Sequence, residues 1–410
     1  MMEIEHYRKI VGSRVIEELK DRARGLAGRR YLMINSTSEG GGVAEMLNSL
    51  VPLMNHLGVD IEWKVLHGFH EFFEVTKGFH NALQGGRIEL TDRVKELYLG
   101  TNKEYASYNV FDHDLIIIHD PQPLPLIAYT EKRQPWIWRL HIDISDPNRD
   151  LWEFVKGYIS RYDRMIISDK AYKKSDLELE EVIIHPAIDP LTEKNMDLSD
   201  EMVKEELSKH DIPLDRPIIS QISRFDIWKD PEGVVEIYRD VKERYECRLV
   251  LCGSMASDDP EGWEVFQKVE ENARDLIDSG DVILIVNAEE VFVNALQRAS
   301  SVVVQKSLRE GFGLTVSEAL WKGTPVVASN VGGIPLQVKD GVNGFLCDPT
   351  DNAQFSDRIV GLLENEELGR EMGRRGKEHV TENFLITRLL SDYLDLFIEM
   401  GTGISLPGKD

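Results

Sequence analysis

Two carboxylates bracket a glycine turn in Arg309-Glu310-Gly311-Phe312-Gly313-Leu314-Thr315-Val316-Ser317-Glu318-Ala319-Leu320. The segment reads as the end of a strand, a tight loop and the opening of a helix that stops near Gly323. Gly311 and Gly313 let main-chain amides approach a ligand closely, with Phe312 between them, and Leu314 begins a helix whose N-terminus favours phosphate oxygens. Glu318, about one turn into that helix, can accept two hydrogen bonds from a vicinal diol such as a ribose. Glu310, before the turn, can hold sugar hydroxyls on the other side of the phosphates. The plain alternative is a strand-to-helix loop with a capping acid.

A second constellation, Ser223-Arg224-Phe225-Asp226-Ile227-Trp228-Lys229-Asp230-Pro231, sets two cations directly after an apolar run in an acidic chain. Arg224 and Lys229 suit a diphosphate leaving group, whose charge grows in the transition state as a glycosidic bond breaks; an ordinary solvated pair is the other reading. A third, Glu39-Gly40-Gly41-Gly42-Val43-Ala44-Glu45, is again strand, glycine loop and helix start. It lacks the GxGxxG spacing. Gly41 and Gly42 suit either a close approach to sugar or phosphate, or a tight turn. Two more polar loops, around His119-Asp120-Pro121-Gln122 and Arg139-Leu140-His141-Ile142-Asp143, offer Asp120, Gln122, His141 and Asp143 to acceptor hydroxyls or to local capping. Trp63, Phe72, Phe73, Thr76, Lys77, Asn81 and Gln84 fit a sugar pocket or core packing.

These loops follow short apolar runs that alternate with helical patterns, the signature of a parallel sheet covered on both faces. Strands are expected at Tyr31 to Asn35, Ile61 to Leu66, Leu115 to His119, Ile137 to Leu140, Met165 to Ile167 and Val182 to Ile184. The prolines of His185-Pro186-Ala187-Ile188-Asp189-Pro190 break any regular element and read as a hinge. A charged helix around Glu201 to His210 follows. The alternation then resumes at Ile218 to Ile222, Arg248 to Cys252, Val282 to Val286, Ser301 to Val304 and Pro325 to Ala328. The expected organisation is α/β, with two facing Rossmann-like domains at 1–187 and 188–382. A last helix and tail, 383–410, is expected to cross back to the first domain. Because open parallel sheets bind ligands beyond the carboxyl ends of their strands, the active site is expected in a cleft between the two.

The totals fit that organisation. A chain of 410 residues exceeds what one core usually covers. Asp+Glu 72 against Lys+Arg 48 gives a net charge of -24, which opposes binding to nucleic acid or to an anionic membrane. Phosphate must then be met by a few placed cations. Cys247, Cys252 and Cys347 are too few and too irregular for a disulfide framework or a zinc site, and read as buried thiols. Met1-Met2-Glu3-Ile4-Glu5-His6 carries acids where a secretory leader would carry bases, and reads as a surface helix. No apolar run approaches the roughly 20 residues that span a bilayer. The expected location is the cytoplasm.

Taken together, the motifs resemble the family-4 retaining glycosyltransferases of GT-B fold. The second half has that family's glutamate pair, Glu310 and Glu318, its Arg224 and Lys229, Gly253, and Gly332-Gly333-Ile334-Pro335 followed by Asp340-Gly341-Val342-Asn343-Gly344. Leu336 departs from it, standing where the family has an acid. The first half is similar to the trehalose synthase clade through Gly40 to Glu45, Phe72-Phe73, Thr76-Lys77, Asn81, Gln84-Gly85, His119 to Gln122 and Arg139 to Asp143. The resemblance implies that Arg224 and Lys229 hold a diphosphate, Glu310 the donor sugar and Glu318 the ribose, with His141 beside the anomeric centre. Gly41, Gly42, Gly253, Gly311, Phe312, Gly313 and Leu314 complete the implied donor set, and Glu39, Lys77, Asn81, Asp120, Gln122, His141 and Asp143 the acceptor set.

The implied reaction moves glucose from UDP- or ADP-glucose to free glucose, giving α,α-trehalose. Since no first-domain carboxylate stands out as a nucleophile, same-face attack is expected, the leaving phosphate helping to take the acceptor proton. No tightly bound cofactor and no dedicated metal cluster are expected, Mg2+ serving as a counter-ion to the diphosphate. A homodimer is the default assembly. Competing readings are a retaining trehalose phosphorylase, for which a ribose-binding Glu318 has no purpose, a sucrose, glycogen or lipid glycosyltransferase, and a non-catalytic nucleotide-sugar sensor.

Overall fold

A computed structural model describes residues 3–39, 41–253 and 260–402. Gly40 and the tail after residue 402 lie outside the described residues. The chain divides into two compact units, Met1–Ala187 with Ile386–Asp410, and Ile188–Leu385.

The first unit is built on strands β1 (Arg30–Asn35), β2 (Asp60–Val65), β3 (Leu115–His119), β4 (Trp136–Arg139), β5 (Arg164–Ile167) and β6 (Glu180–Ile183). All pair in parallel, in the order β2-β1-β3-β4-β5-β6. Their apolar runs are continuous because helices cover both faces: every residue of β3 is buried, and Trp136 and Trp138 of β4 are fully enclosed. The second unit contains β7 (Ile218–Ile222), β8 (Arg248–Gly253), β9 (Val282–Val286), β10 (Ser300–Gln305), β11 (Val326–Ser329) and β12 (Gly344–Cys347). These also run parallel, ordered β12-β11-β10-β7-β8-β9. From the β9 edge this is the doubly wound order in which the third, second and first strands precede the fourth, fifth and sixth.

Strand β12 lies outside the strands expected from the sequence. It opens on Gly344, a poor strand former, and the structure gives the reason for that residue: a Cβ there would lie 2.6 Å from the Val326 carbonyl oxygen. The N-terminal segment is also corrected. Ile4 and Tyr7 are buried, so Ile4–Tyr7 and the helix Arg8–Arg24 are anchored, while Glu5 stays outside and pairs with Arg8 at 2.7 Å. The last helix, Ile386–Thr402, is part of the first unit. There Phe397 stacks on Tyr31 of β1 with centroids 4.2 Å apart, and Arg388 donates to the carbonyls of His185 at 2.7 Å and Pro186 at 3.0 Å. Cys247, Cys252 and Cys347 are buried thiols, each pushed up to about 12 by desolvation. Among the described residues no helix is long and apolar enough to cross a membrane.

In each sheet the strand order reverses once, between β1 and β3 in the first unit and between β7 and β10 in the second. The crossovers that leave the two strands of such a pair run over opposite faces of the sheet, which opens a crevice at their carboxyl ends.

Candidate active site

At the second unit's reversal point, the loops after β7 and β10 are sewn together by Gln221, the buried penultimate residue of β7. Its amide nitrogen donates to the Lys229 carbonyl at 3.0 Å, and its oxygen accepts the Lys306 amide at 3.3 Å. The Leu308 amide donates to the Trp228 carbonyl at 2.8 Å, a main-chain bond that holds the two loops in register beside the site. Lys229 Nζ consequently reaches Glu310 Oε2 at 2.5 Å, and the same carboxylate oxygen accepts Ser307 Oγ at 3.0 Å and Gln305 Nε2 at 3.3 Å. Glu310 is only 7% exposed, so this charge-assisted cluster fixes its orientation. Asp230, left-handed at φ 45°, caps the helix Pro231–Arg244 through the Gly233 amide and pairs with Lys306. Arg224 stands apart from the Lys229 cluster: its side chain is exposed, and Nη2 reaches Asp226 Oδ2 at 3.2 Å. The loop that carries it crosses the end of β8 at Gly253, where a Cβ would lie 2.4 Å from the Ser223 carbonyl oxygen and 2.8 Å from the Phe225 ring. Gly253 thus acts through packing, by letting the Arg224 loop lie flat.

The glycine turn is braced from behind. Gly313 adopts φ 82° and caps the helix Leu314–Trp321. The Phe312 ring is buried and meets Phe384 edge-on at 5.6 Å, so this side chain serves the core and any contact with a ligand falls to its backbone. Fully buried Gln337 donates to the Phe312 carbonyl at 2.5 Å and accepts from Ser317 Oγ at 2.6 Å, tying the turn to its own helix. Glu318 is 2% exposed. Its carboxylate meets Lys194 Nζ at 3.2 Å and Gln297 Nε2 at 3.4 Å, and its carbonyl accepts Lys322 Nζ at 3.3 Å. Desolvation pushes Lys322 down to about 7 against the opposing pull of Glu318. Lys194, Gln297, Gln221 and Gln337 carry no signal in the sequence that marks them as site residues; only Lys322, four residues after Glu318, leaves a local one.

In the first unit, the loop after β1 leads through exposed Glu39 to Gly41, at φ 85°, and then to Gly42, the first residue of the helix Gly42–His56. The ends of β3 and β4 bring two of the sought residues, Asp120 and His141, together with His119. His119 Nδ1 and His141 Nε2 are 3.0 Å apart with their rings 11° from parallel, and Asp120 Oδ1 accepts the His141 amide at 3.0 Å. Asp120 holds φ 63°, fixed by its amide on the Arg139 carbonyl at 2.8 Å and by Trp138 Nε1 on its own carbonyl at 2.9 Å. Burial raises Asp120 to about 7, lowers His119 to about 3 and takes His141 well below its ordinary value, with the Arg139 cation adding to both histidine shifts. Both rings are therefore neutral at neutral pH.

The other acceptor candidates divide. Gln122 presents a buried Oε1 that makes no hydrogen bond among the described residues. Asp143 is turned inward: it is 7% exposed and caps the Ser145 amide at 2.8 Å. Lys77 and Asn81 lie half-buried on one face of the helix His70–Leu83. Phe72 is fully buried core, and Trp63 Nε1 is held by Asn35 at 2.9 Å. A concavity lined by Tyr129, Arg133 and Gln134 lies at the amino ends of β3 and β4 and contains none of these residues.

Two Rossmann-like units, one with an acid-bracketed glycine turn at its reversal point, define a glycosyltransferase of GT-B fold. The family profile for the trehalose synthase N-terminal domain matches residues 33–174, and that for glycosyl transferases group 1 matches residues 202–379. Trehalose synthase of Thermococcus litoralis is 48% identical over 400 residues, covering 96% of each chain. A trehalose phosphorylase of Grifola frondosa is 30% identical, covering 93% of this chain and 58% of its own. The solved α,α-trehalose 6-phosphate synthase of Burkholderia multivorans superposes with a TM-score of 0.73 at 14% identity, over 92% of this chain and 99% of its own, a likeness of fold. The chain belongs to the trehalose synthase family. It is an enzyme, a glycosyltransferase.

Proposed function

We propose that this enzyme is a retaining glucosyltransferase that moves glucose from a nucleoside diphosphate glucose to free glucose, forming α,α-trehalose. The observation that carries the proposal is the arrangement around the glycine turn: Lys229 on Glu310 before it, and an almost fully buried Glu318 in the helix after it. A diphosphate at the N-terminus of that helix would find Lys229 and Arg224 as cations, while Glu318 receives the ribose diol. Glu310, once Lys229 turns to phosphate, holds hydroxyls of the transferred sugar. The glucose C1–O bond breaks toward the phosphate as charge develops there, and the acceptor oxygen bonds to C1 from the same face. The acceptor proton passes to the leaving phosphate oxygen, so no protein nucleophile enters the sequence. The first unit supplies His141, Asp120 and Gln122 for sugar hydroxyls.

Glu318 favours this reading over a phosphorylase, because a buried carboxylate held by Lys194 and Gln297 suits a nucleoside diol and has no partner in inorganic phosphate. Any Mg2+ that accompanies the diphosphate would be held mainly by the ligand's own oxygens. The test is a comparison of donors with the purified enzyme and free glucose. Nucleoside diphosphate release that depends on glucose, and that Glu318→Ala weakens chiefly through the donor KM, supports the proposal. No turnover unless trehalose and inorganic phosphate are supplied, with glucose 1-phosphate and glucose as the products, overturns it in favour of the phosphorylase.

A further inference from the structure

His119 ends β3 in register with Arg139 of β4, and both residues are fully buried. The His119 and His141 rings lie 11° from parallel with centroids 5.3 Å apart, and Nδ1 of the first is 3.0 Å from Nε2 of the second. Two neutral imidazoles at this distance share one bridging proton, so one ring donates and the other accepts. Which ring donates is decided at the far side of His119, where Nε2 is buried with no partner among the described residues. If His141 donated, His119 would have to carry its proton on Nε2. An unpartnered Nε2 costs about 1–3 kcal/mol as donor or as acceptor, so the choice falls to the charge of Arg139, which stands in register on the next strand and acts on the His119 ring. With the proton on Nδ1 instead, Nε2 keeps a lone pair, which a nearby guanidinium favours.

We propose that His119 is a positioning residue that fixes His141 in the tautomer protonated on Nδ1, so that the nitrogen left for a ligand is a neutral hydrogen-bond donor. Asp120, the next residue, holds the His141 main chain from the same turn, so ring and backbone are both set by the end of β3. The catalytic consequence rests on the reading that His141 meets the transferred sugar near its anomeric carbon. There it would donate to a sugar or phosphate oxygen and would not act as the base for the acceptor hydroxyl.

The experiment is 15N NMR of histidine-labelled enzyme, with His141→Gln and His119→Asn assigning the two rings. The expected spectrum has a protonated Nδ1 and an unprotonated Nε2 on His141 at pH 7; the reverse pattern overturns the inference. This readout is independent of turnover, so an enzyme inactive on nucleoside diphosphate glucose and glucose would refute the proposed reaction without touching the tautomer. Kinetics give a second arm. His119→Leu is expected to lower kcat about tenfold or more, as loss of a tautomer-fixing partner does, with donor KM within about twofold. His119→Asn, whose amide N–H replaces Nδ1–H, is expected to recover most of that loss. Wild-type kcat in His119→Leu, or equal losses in both variants, would overturn the positioning role.

Discussion

Lys229 and Glu310 form a partly enclosed ion pair whose two members are assigned different parts of the donor, and this makes their variants separable. Their side chains are 17% and 9% exposed, with Nζ and Oε2 2.5 Å apart. Truncating one partner of a fully buried pair costs about 3–5 kcal/mol. Here Ser307 and Gln305 continue to satisfy the Glu310 carboxylate, so Lys229→Met is expected to cost roughly 1–3 kcal/mol of stability. Its effect on ligand is of similar size: with the ammonium gone, nucleoside diphosphate binding falls about tenfold to a hundredfold, or about 1.4–2.8 kcal/mol. Glu310→Gln removes a negative charge from beside the phosphates and releases Lys229 from its carboxylate partner. Diphosphate affinity should therefore hold or rise, while kcat falls about a hundredfold because the sugar contact is lost. Isothermal titration of UDP and ADP, together with steady-state rates, reads both quantities. The reasoning is refuted if Lys229→Met binds either diphosphate like wild type, or if Glu310→Gln weakens binding as much as Lys229→Met does.

Three further outcomes follow from the same geometry. Gly253→Ala places a methyl group 2.4 Å from the Ser223 carbonyl oxygen and is expected to destabilise by about 1–3 kcal/mol while weakening diphosphate binding by displacing the Arg224 loop; denaturant melts paired with titration check both. Gln337→Leu strips the Phe312 carbonyl and Ser317 hydroxyl of their buried partner, so a loss of about 1–3 kcal/mol should come with a raised donor KM, and an unchanged melting curve would count against the bracing role. Lys322 is depressed to about 7 from an ordinary value of 10.5. Between these values the unfolded chain holds a proton that the folded chain lacks, so stability rises with pH and the full penalty is present below pH 7. The stability of the wild type relative to Lys322→Met should therefore climb with a slope approaching 1.4 kcal/mol per pH unit between about pH 8 and pH 10, and a flat difference would contradict the depressed value.

What can be read from the sequence is local in origin. The run Leu115-Ile116-Ile117-Ile118 marks a strand covered on both faces without any knowledge of its neighbours, and Gly313 marks a turn that needs the left-handed backbone it adopts. The motif residues fall at strand ends because parallel sheets leave only those loops open to ligands. Long-range partners leave no such trace. Gln221, Gln337, Lys194 and Gln297 are ordinary polar residues until the fold brings each against a site residue distant in sequence, as with Lys194 and Glu318. Burial is likewise illegible: nothing local says that Phe312 turns into the core, that Asp143 is spent on Ser145, or that His119 is enclosed while His141 is half-buried. Gly253 stands out in the sequence as a glycine of the donor half, but its cause, the Ser223 carbonyl lying across it, requires the fold.

The most direct test of the central claim is to supply nucleoside diphosphate glucose with a 13C-labelled glucosyl group and unlabelled free glucose, and to follow the products by 13C NMR. The account predicts α,α-trehalose with one labelled and one unlabelled ring, formed in step with nucleoside diphosphate. Diphosphate release without a labelled disaccharide, or a labelled ring joined in the β configuration, would contradict it.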